Sequence, residues 1–296
     1  MVKGAFDRPL ETGGSVVPHE GGCVMRCALL SVSLPYSERV RTIDATWSQR
    51  APSLDALEQG AARAWPATVE VAAPGGWLLR ATPGLDRGRS NHALPPCREL
   101  ARDELPAAIE RVRAFAQQHS IRAGIQVSPL ERHDSLQRGL DARGWTTNWP
   151  VLVMVGEVGP VMRPGEAAGD RLLIDDRATP EWLRAWAQCE PGRDVEAHAK
   201  TVFELLRGRA KFTRFGEWAV AIGVEDQGLV GLFCLAVAPA QRRCGLGSEI
   251  VRALLACTSA SAAYLQVEQS NTAAVSMYER LGFSEAYRYC HRTEPG

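Results

Sequence analysis

Apolar positions along the chain follow two rhythms. Residues 228–237, Gly-Leu-Val-Gly-Leu-Phe-Cys-Leu-Ala-Val, are a nearly unbroken hydrophobic run of strand length, the pattern of a buried strand. After a short polar stretch, Leu246, Ile250, Val251, Leu254 and Leu255 recur three and four residues apart, the stripe of an amphipathic helix. Residues 264–268, Tyr-Leu-Gln-Val-Glu, alternate and predict another strand. Asn271 stands where a helix cap belongs, ahead of an apolar face of Ala274, Val275, Tyr278 and Leu281; Gly282 ends that helix and Phe283 opens the next strand. Upstream, the pattern predicts a strand over 171–175, helices over 180–189 and 194–207, strands over 211–215 and 218–225, and a turn at Asp226-Gln227-Gly228.

The first half repeats part of this order. Asp103 is placed to cap a helix with Leu105, Ile109, Val112 and Phe115 on one face. Then come a strand at 125–128, a helix marked by Leu136 and Leu140, the pair Gly144-Trp145, and a strand at 150–155. Helix, strand, helix, Gly-aromatic, strand thus occurs in both halves.

The segment between the 228–237 strand and its helix carries the chemistry. Residues 242–248 read Arg-Arg-Cys-Gly-Leu-Gly-Ser. Glycines in a strand-to-helix turn let backbone approach an anion and aim N–H groups at it. The helix N-terminus adds favourable partial charge. A Walker loop would need a lysine beside Gly247, and a dinucleotide fingerprint would need a third glycine; the chain has neither.

The joint pattern Leu235-x-Val237-x-Pro239, Arg242-x-x-Gly245-x-Gly247, Asn271, Tyr278 and Gly282-Phe283 resembles the GNAT acetyltransferase superfamily in the motifs that bind acetyl-CoA. The resemblance covers residues 169–296 well and the first half as a degraded echo. It implies an α/β GNAT fold, as two GNAT-like domains in tandem. The expected division is a poorly ordered leader over 1–40, a degenerate domain over 41–158, a linker over 159–168 and a catalytic domain over 169–296. Aligning Gly144-Trp145 with Gly282-Phe283 sets Leu140 opposite Tyr278, and residues 89–123 hold no glycine, so the first half is expected to bind no coenzyme. Its strand at 151–155 is expected to complete the second half's sheet.

The resemblance also implies roles. An amine attacks the thioester directly. Backbone groups of Leu235 and Val237 would position the pantetheine arm and the developing oxyanion. Arg242, Arg243, Cys244, Gly245, Leu246, Gly247 and Ser248 would hold the pyrophosphate, with Asn271 nearby. Tyr278 would protonate the departing thiolate; by spacing alone it reads as a core aromatic. The general base stays open among Glu268, His291 and a water relay, because residues 229–237 hold no carboxylate. Acetyl-CoA is the expected co-substrate, and no metal is expected. The expected acceptor is a small primary amine, an aminoglycoside-type (kasugamycin-like) molecule being one form, with Glu190, Asp194 and Glu196 as acidic walls. Acetylation of a protein N-terminus or lysine, and non-catalytic acetyl-CoA sensing, are the competing functions.

Composition narrows this little. Balanced charge, 34 basic against 34 acidic residues, gives no global field towards nucleic acid or an anionic membrane. Eight cysteines without a Cys-x-x-Cys pair suit free thiols in a reducing cytoplasm. Cys23 and Cys27 near His19 lack the spacing and the second ligand pair of a metal site. No stretch approaches the length of a membrane span or carries a convincing signal-peptide cleavage site. A homodimer is compatible with all of this.

Overall fold

Ser53 opens the first helix, α1 (Leu54–Ala64), its hydroxyl accepting from the Ala56 N–H at 3.2 Å. A hairpin of β1 (Val69–Ala73) and β2 (Trp77–Ala81) follows, turning through Gly75 and Gly76 at φ +81° and +84°. The chain continues through α2 (Gly88–Asn91), α3 (Leu105–Gln118), β3 (Gly124–Val127), α4 (Asp134–Asp141) and β4 (Thr146–Glu157). The second half holds β5 (Leu172–Asp175), α5 (Pro180–Cys189), α6 (Val195–Lys200), α7 (Val202–Leu205), β6 (Ala210–Phe215), β7 (Ala219–Asp226) and β8 (Leu229–Val237). It ends with α8 (Leu246–Ala256), β9 (Ala262–Glu268), α9 (Thr272–Arg280) and β10 (Ser284–Thr293). This computed structural model describes residues 51–159 and 172–295, all within one compact unit, Ala45–Gly296. The expected leader, the Cys23, Cys27 and His19 group, and the expected linker apart from Gly159 lie outside the described residues.

Two expectations need correction. The helix expected over 194–207 breaks at Thr201 (φ −120°, ψ −98°), whose hydroxyl donates back to the Ala197 carbonyl at 2.5 Å. Asp103 does not cap α3. Glu104 occupies the cap position, but its carboxylate is taken by Arg98 at 2.7 Å and by the Ala101 N–H at 2.9 Å.

Eight strands form one sheet in the order β3-β10-β4-β9-β8-β7-β6-β5. Every pairing is antiparallel except β8 with β9. Each strand–helix–strand segment gives its last strand to the other. β10 pairs with β3 and β4, and β4 pairs with β9 and β10. The segment at 151–155 therefore completes the sheet beside β9, with Val151 opposite Glu268 and Val155 opposite Tyr264.

The two sheet faces have separate cores. One carries α8 and α9 through Ile250, Leu254, Tyr278 and Leu281, packed on Leu232 and Leu265. The other carries α1, α5 and α7 through Leu57, Trp182, Trp186 and Phe203, packed on Phe212, Ile222 and Phe233. Trp182 is fully buried and donates its indole N–H to the Thr213 carbonyl at 3.0 Å, which satisfies the one polar atom that its burial would strand. A third cluster joins α3 and α4 to β3, the hairpin and Cys290. Leu140 lies there, fully buried.

A histidine pair is buried between the hairpin side and β10. His92 Nδ1 lies 2.8 Å from His291 Nδ1. A Cβ on Gly124 would fall 2.2 Å from His92 Cδ2, so the ring rests directly on that backbone. One proton serves the contact and the second imidazole must accept. Burial, then the Arg80 and Arg122 charges, push His92 from 6.5 down to about 3. Burial, then His92 and the nearby arginines, push His291 well below its ordinary value. Folded values below the unfolded ones make this a contribution present above pH 6.5 and lost as pH falls towards about 3. Acid should therefore destabilise the fold progressively as pH falls through that window. His92→Gln should flatten the dependence, as read from urea midpoints between about pH 7 and pH 4.

Candidate active site

The centre of the sheet opens where its one parallel pair ends. β8 and β9 are in register from Leu229 opposite Ala262 to Leu232 opposite Leu265, and no further. Each continues along its outer neighbour: β8 on β7 to Val237 opposite Ala219, and β9 on β4 to Glu268 opposite Val151. Residues 233–237 and 266–268 therefore diverge, and backbone groups facing the gap have no ladder partner. A bulge sharpens this. Ala221 of β7 faces both Cys234 and Leu235, and Cys234 sits at φ +49°. Phe233 and Cys234 then join the α1/α5 core, while Leu235 and Val237 join the α8/α9 core.

The turn after β8 leads straight to this gap. Ala238 N–H donates to the Trp218 carbonyl at 2.7 Å, and a short 3₁₀ turn spans Pro239–Gln241. Arg243 takes φ +67° and Gly245 φ +87°. Gly245 caps α8 without a side-chain bond, so the first-turn N–H groups of Leu246 and Gly247 are left for a ligand or water. Its glycine answers to conformation. Gly247 is different: its backbone is helical, but a Cβ there would lie 2.9 Å from Met277 Sδ and 3.7 Å from Val237 Cγ2. A larger residue there would crowd Met277, whose flexible side chain can shift, while Val237 stays at ordinary contact distance. Arg243 and Cys244 are exposed, and Ser248 is half-buried. Arg242 is exposed, and its Nε donates to the Val237 carbonyl at 3.0 Å. One pyrophosphate candidate thus tethers the end of β8, leaving its remaining guanidinium nitrogens outward.

α9 brings the phenol to the same place. Asn271 caps it, accepting from the Ala274 N–H at 3.2 Å. Tyr278 is 7% exposed and packs edge-on against Phe283 at 5.9 Å. Its core includes Leu235, Val237 and Leu246. Its hydroxyl makes no hydrogen bond to the described residues, and burial pushes its pKa up. It is a proton donor at any ordinary pH.

The base candidates separate. Glu268 is exposed at the end of β9 and lines an open cavity of about 410 Å³ with Pro150, Gln269 and Ser270. His291 is buried in the histidine pair and is a weak base there. The acidic walls are engaged. Glu190 accepts from Arg193 at 3.0 Å and from the Trp186 indole at 3.2 Å. Asp194 caps α6 at the Ala197 N–H, and Glu196 pairs with Lys200. The loop carrying Glu190 nevertheless meets the turn after β8: Cys189, Glu190, Pro191, Gly192, Arg193 and Arg242 line a second open cavity of about 410 Å³.

The pattern gave no warning of a group from the first half. Arg89 stacks over Phe233 at 5.5 Å and over Trp65 at 5.9 Å, and it donates to the Tyr289 hydroxyl at 3.3 Å. Tyr289 donates in turn to Gln266 at 3.0 Å. Phe233 and Gln266 are the first residues beyond the last β8–β9 pair. The only sequence trace was the doublet Arg87-Gly88-Arg89, hidden in an arginine-rich chain.

A family model described as "Probable histone acetyltransferase Rv0428c C-terminal" matches residues 52–292. Among solved structures, a GCN5-related N-acetyltransferase from Kribbella flavida aligns at 19% identity over 82% of this chain and 94% of that one, with a TM-score of 0.58. A functionally unknown protein from Staphylococcus epidermidis aligns at 12% identity over 78% and 94%, TM-score 0.58. A tandem GNAT protein from the clavulanic acid biosynthesis pathway aligns at 12% identity over 83% and 90%, TM-score 0.58. At these identities the structural likeness is one of fold. No curated protein matches the chain.

Proposed function

The chain belongs to the family of the probable histone acetyltransferase Rv0428c C-terminal region and is an acetyltransferase of the GNAT type, and on that premise we propose that it transfers acetyl from acetyl-CoA to a primary amine of a small molecule. The observation that carries this reading is the β8–β9 divergence beyond Leu232 and Leu265, met at its mouth by the uncapped N-terminus of α8. That arrangement suits a long ligand with a diphosphate at one end and a thioester at the other.

Acetyl-CoA supplies the activated acetyl group. First-turn N–H groups of α8, with outward nitrogens of Arg242 and Arg243, hold the diphosphate. Released backbone groups of Leu235 and Val237 orient the arm and donate to the developing oxyanion. A carbon–nitrogen bond forms as the carbon–sulfur bond breaks, and Tyr278 gives its proton to the sulfur. The amine's proton leaves to water, with Glu268, exposed at the β9 end, as the candidate carboxylate. The 41–158 segment holds no such turn and carries Leu140 in place of a phenol, so we assign it the supporting wall of the acceptor cleft.

A thiol-release assay with acetyl-CoA tests this. Turnover with small amines supports it. Turnover confined to peptides or protein N-termini would favour protein acetylation, the reading towards which the family's description leans. Coenzyme binding without turnover on any amine would leave a sensor. The aminoglycoside-type acceptor draws no support from Glu190, Asp194 and Glu196, each of which has a partner.

A further inference from the structure

We propose that the acceptor carries a compact anionic group, a carboxylate or phosphate, and that Arg87 and Arg89 hold it beside the β8–β9 divergence. This rests on the acetyl-transfer reading above and adds the charge of the substrate.

Several observations converge on it. The bulge turns Phe233 and Cys234 to the α1/α5 face, opposite the face of Tyr278 and α8. An acceptor therefore has its own side of the sheet. On that side Arg89 covers Phe233 and reaches Gln266 through Tyr289. Arg87 stacks over Trp65 at 5.6 Å. Both residues are half-buried, yet among the described residues neither has a salt bridge and Arg87 has no side-chain hydrogen bond. Both guanidiniums lie over the Trp65 ring, Arg89 spends one nitrogen on Tyr289, and the donors that remain suit an oxyanion.

The surrounding charge agrees. Burial first, then Arg89 and Arg193, push the Arg87 guanidinium down, against the opposing pull of Cys234 and Glu190. Glu190 is already bound to Arg193 and Trp186. Glu58 feels Arg80 and Arg89 but accepts from Ser128 at 2.6 Å and from Tyr287, and burial pushes its carboxyl up towards neutrality. Arg80, Arg87, Arg89 and Arg193 therefore face Glu190, which is already paired, Glu58, whose carboxyl burial raises, and Glu70, which acts on Arg80. Desolvated cations without counterions are costly, and a ligand oxyanion relieves that cost. An acceptor whose only charge is positive would meet repulsion here.

The test uses matched probes: amino carboxylates with their carboxamides, and aminoalkyl phosphates with their alcohols. Thiol release is measured on the full chain, and probe binding to the CoA-saturated protein is measured by calorimetry. The expected result is a preference of about 100-fold for the anionic member, lost in Arg87→Gln and Arg89→Gln and partly restored in Arg87→Lys. The carboxylate and phosphate arms identify the oxyanion. Because Arg87 gives up no hydrogen bond, Arg87→Gln should keep the parent melting temperature, so its loss of preference reports on recognition. Turnover of neutral or cationic amines, unaltered in both variants, overturns this inference and leaves acetyl transfer standing. Arginine-dependent binding of the anions without turnover on any amine supports the anion site and overturns acetyl transfer. No difference within the pairs in either assay overturns the inference.

Discussion

Tyr278→Phe should lower kcat by about 10²- to 10⁴-fold while leaving the affinity for acetyl-CoA within about threefold, since no binding contact is removed. The ring's packing against Phe283 survives the change, and the hydroxyl has no hydrogen bond to the described residues to lose. Stability is therefore a poor explanation for any effect. A phenol raised by burial donates only to a strong base, so the transfer requires a thiolate whose basicity is raised by the same loss of water. Donor and acceptor move up together. The measurement is single-turnover acetyl transfer across pH, set beside calorimetric coenzyme binding. A variant with parental turnover at every pH removes the acid role, and one that loses binding and turnover equally shows that the hydroxyl only positions the arm.

Local signals carried most of the second half. Strand runs, the glycine turn and the Asn271 cap each report on near neighbours, and near neighbours decide them: the Asn271–Ala274 bond spans three residues. Capping at Asp103 failed because α3 begins one residue later, with Glu104 at the cap position and its carboxylate bound to Arg98 and the Ala101 N–H. Continuity of the 194–207 helix failed for a local reason that hydrophobic periodicity does not contain, the Thr201 hydroxyl back-bonding to Ala197. Arg87 and Arg89 could not be found from pattern at all. Their meaning comes from Trp65, Phe233 and Tyr289, and Arg89 and Tyr289 are 200 positions apart. The strand exchange of β4 and β10 is equally non-local. Sequence could suggest that the first half supplies a strand; it could not say that β4 would lie between β9 and β10.

Enlarging Gly247 should separate coenzyme binding from folding more sharply than any change at Gly245. At Gly245 a side chain would strain a backbone at φ +87°, and lost binding could then follow from a distorted turn. Gly247 has helical backbone, so a larger residue gains up to about 1 kcal/mol of helix propensity, set against about 1–3 kcal/mol for crowding Met277 and Val237. Met277 can yield, because the nearest atom, Sδ, belongs to a flexible side chain. Gly247→Trp is thus expected to lower the melting temperature by no more than about 10 °C. Its indole, with no room inward, must cover the first-turn N–H groups that Gly245 leaves uncapped, and affinity for CoA should fall by about 100-fold or more. Met277→Ala in the same chain relieves the inward crowding, so it should recover stability without recovering affinity if the covered amides are the cause. Recovery of both would place the defect in the packing of α9 on α8. Parental affinity in Gly247→Trp, measured by calorimetry with CoA on a folded sample, would mean that the diphosphate lies elsewhere and that the N-terminus of α8 is only a turn.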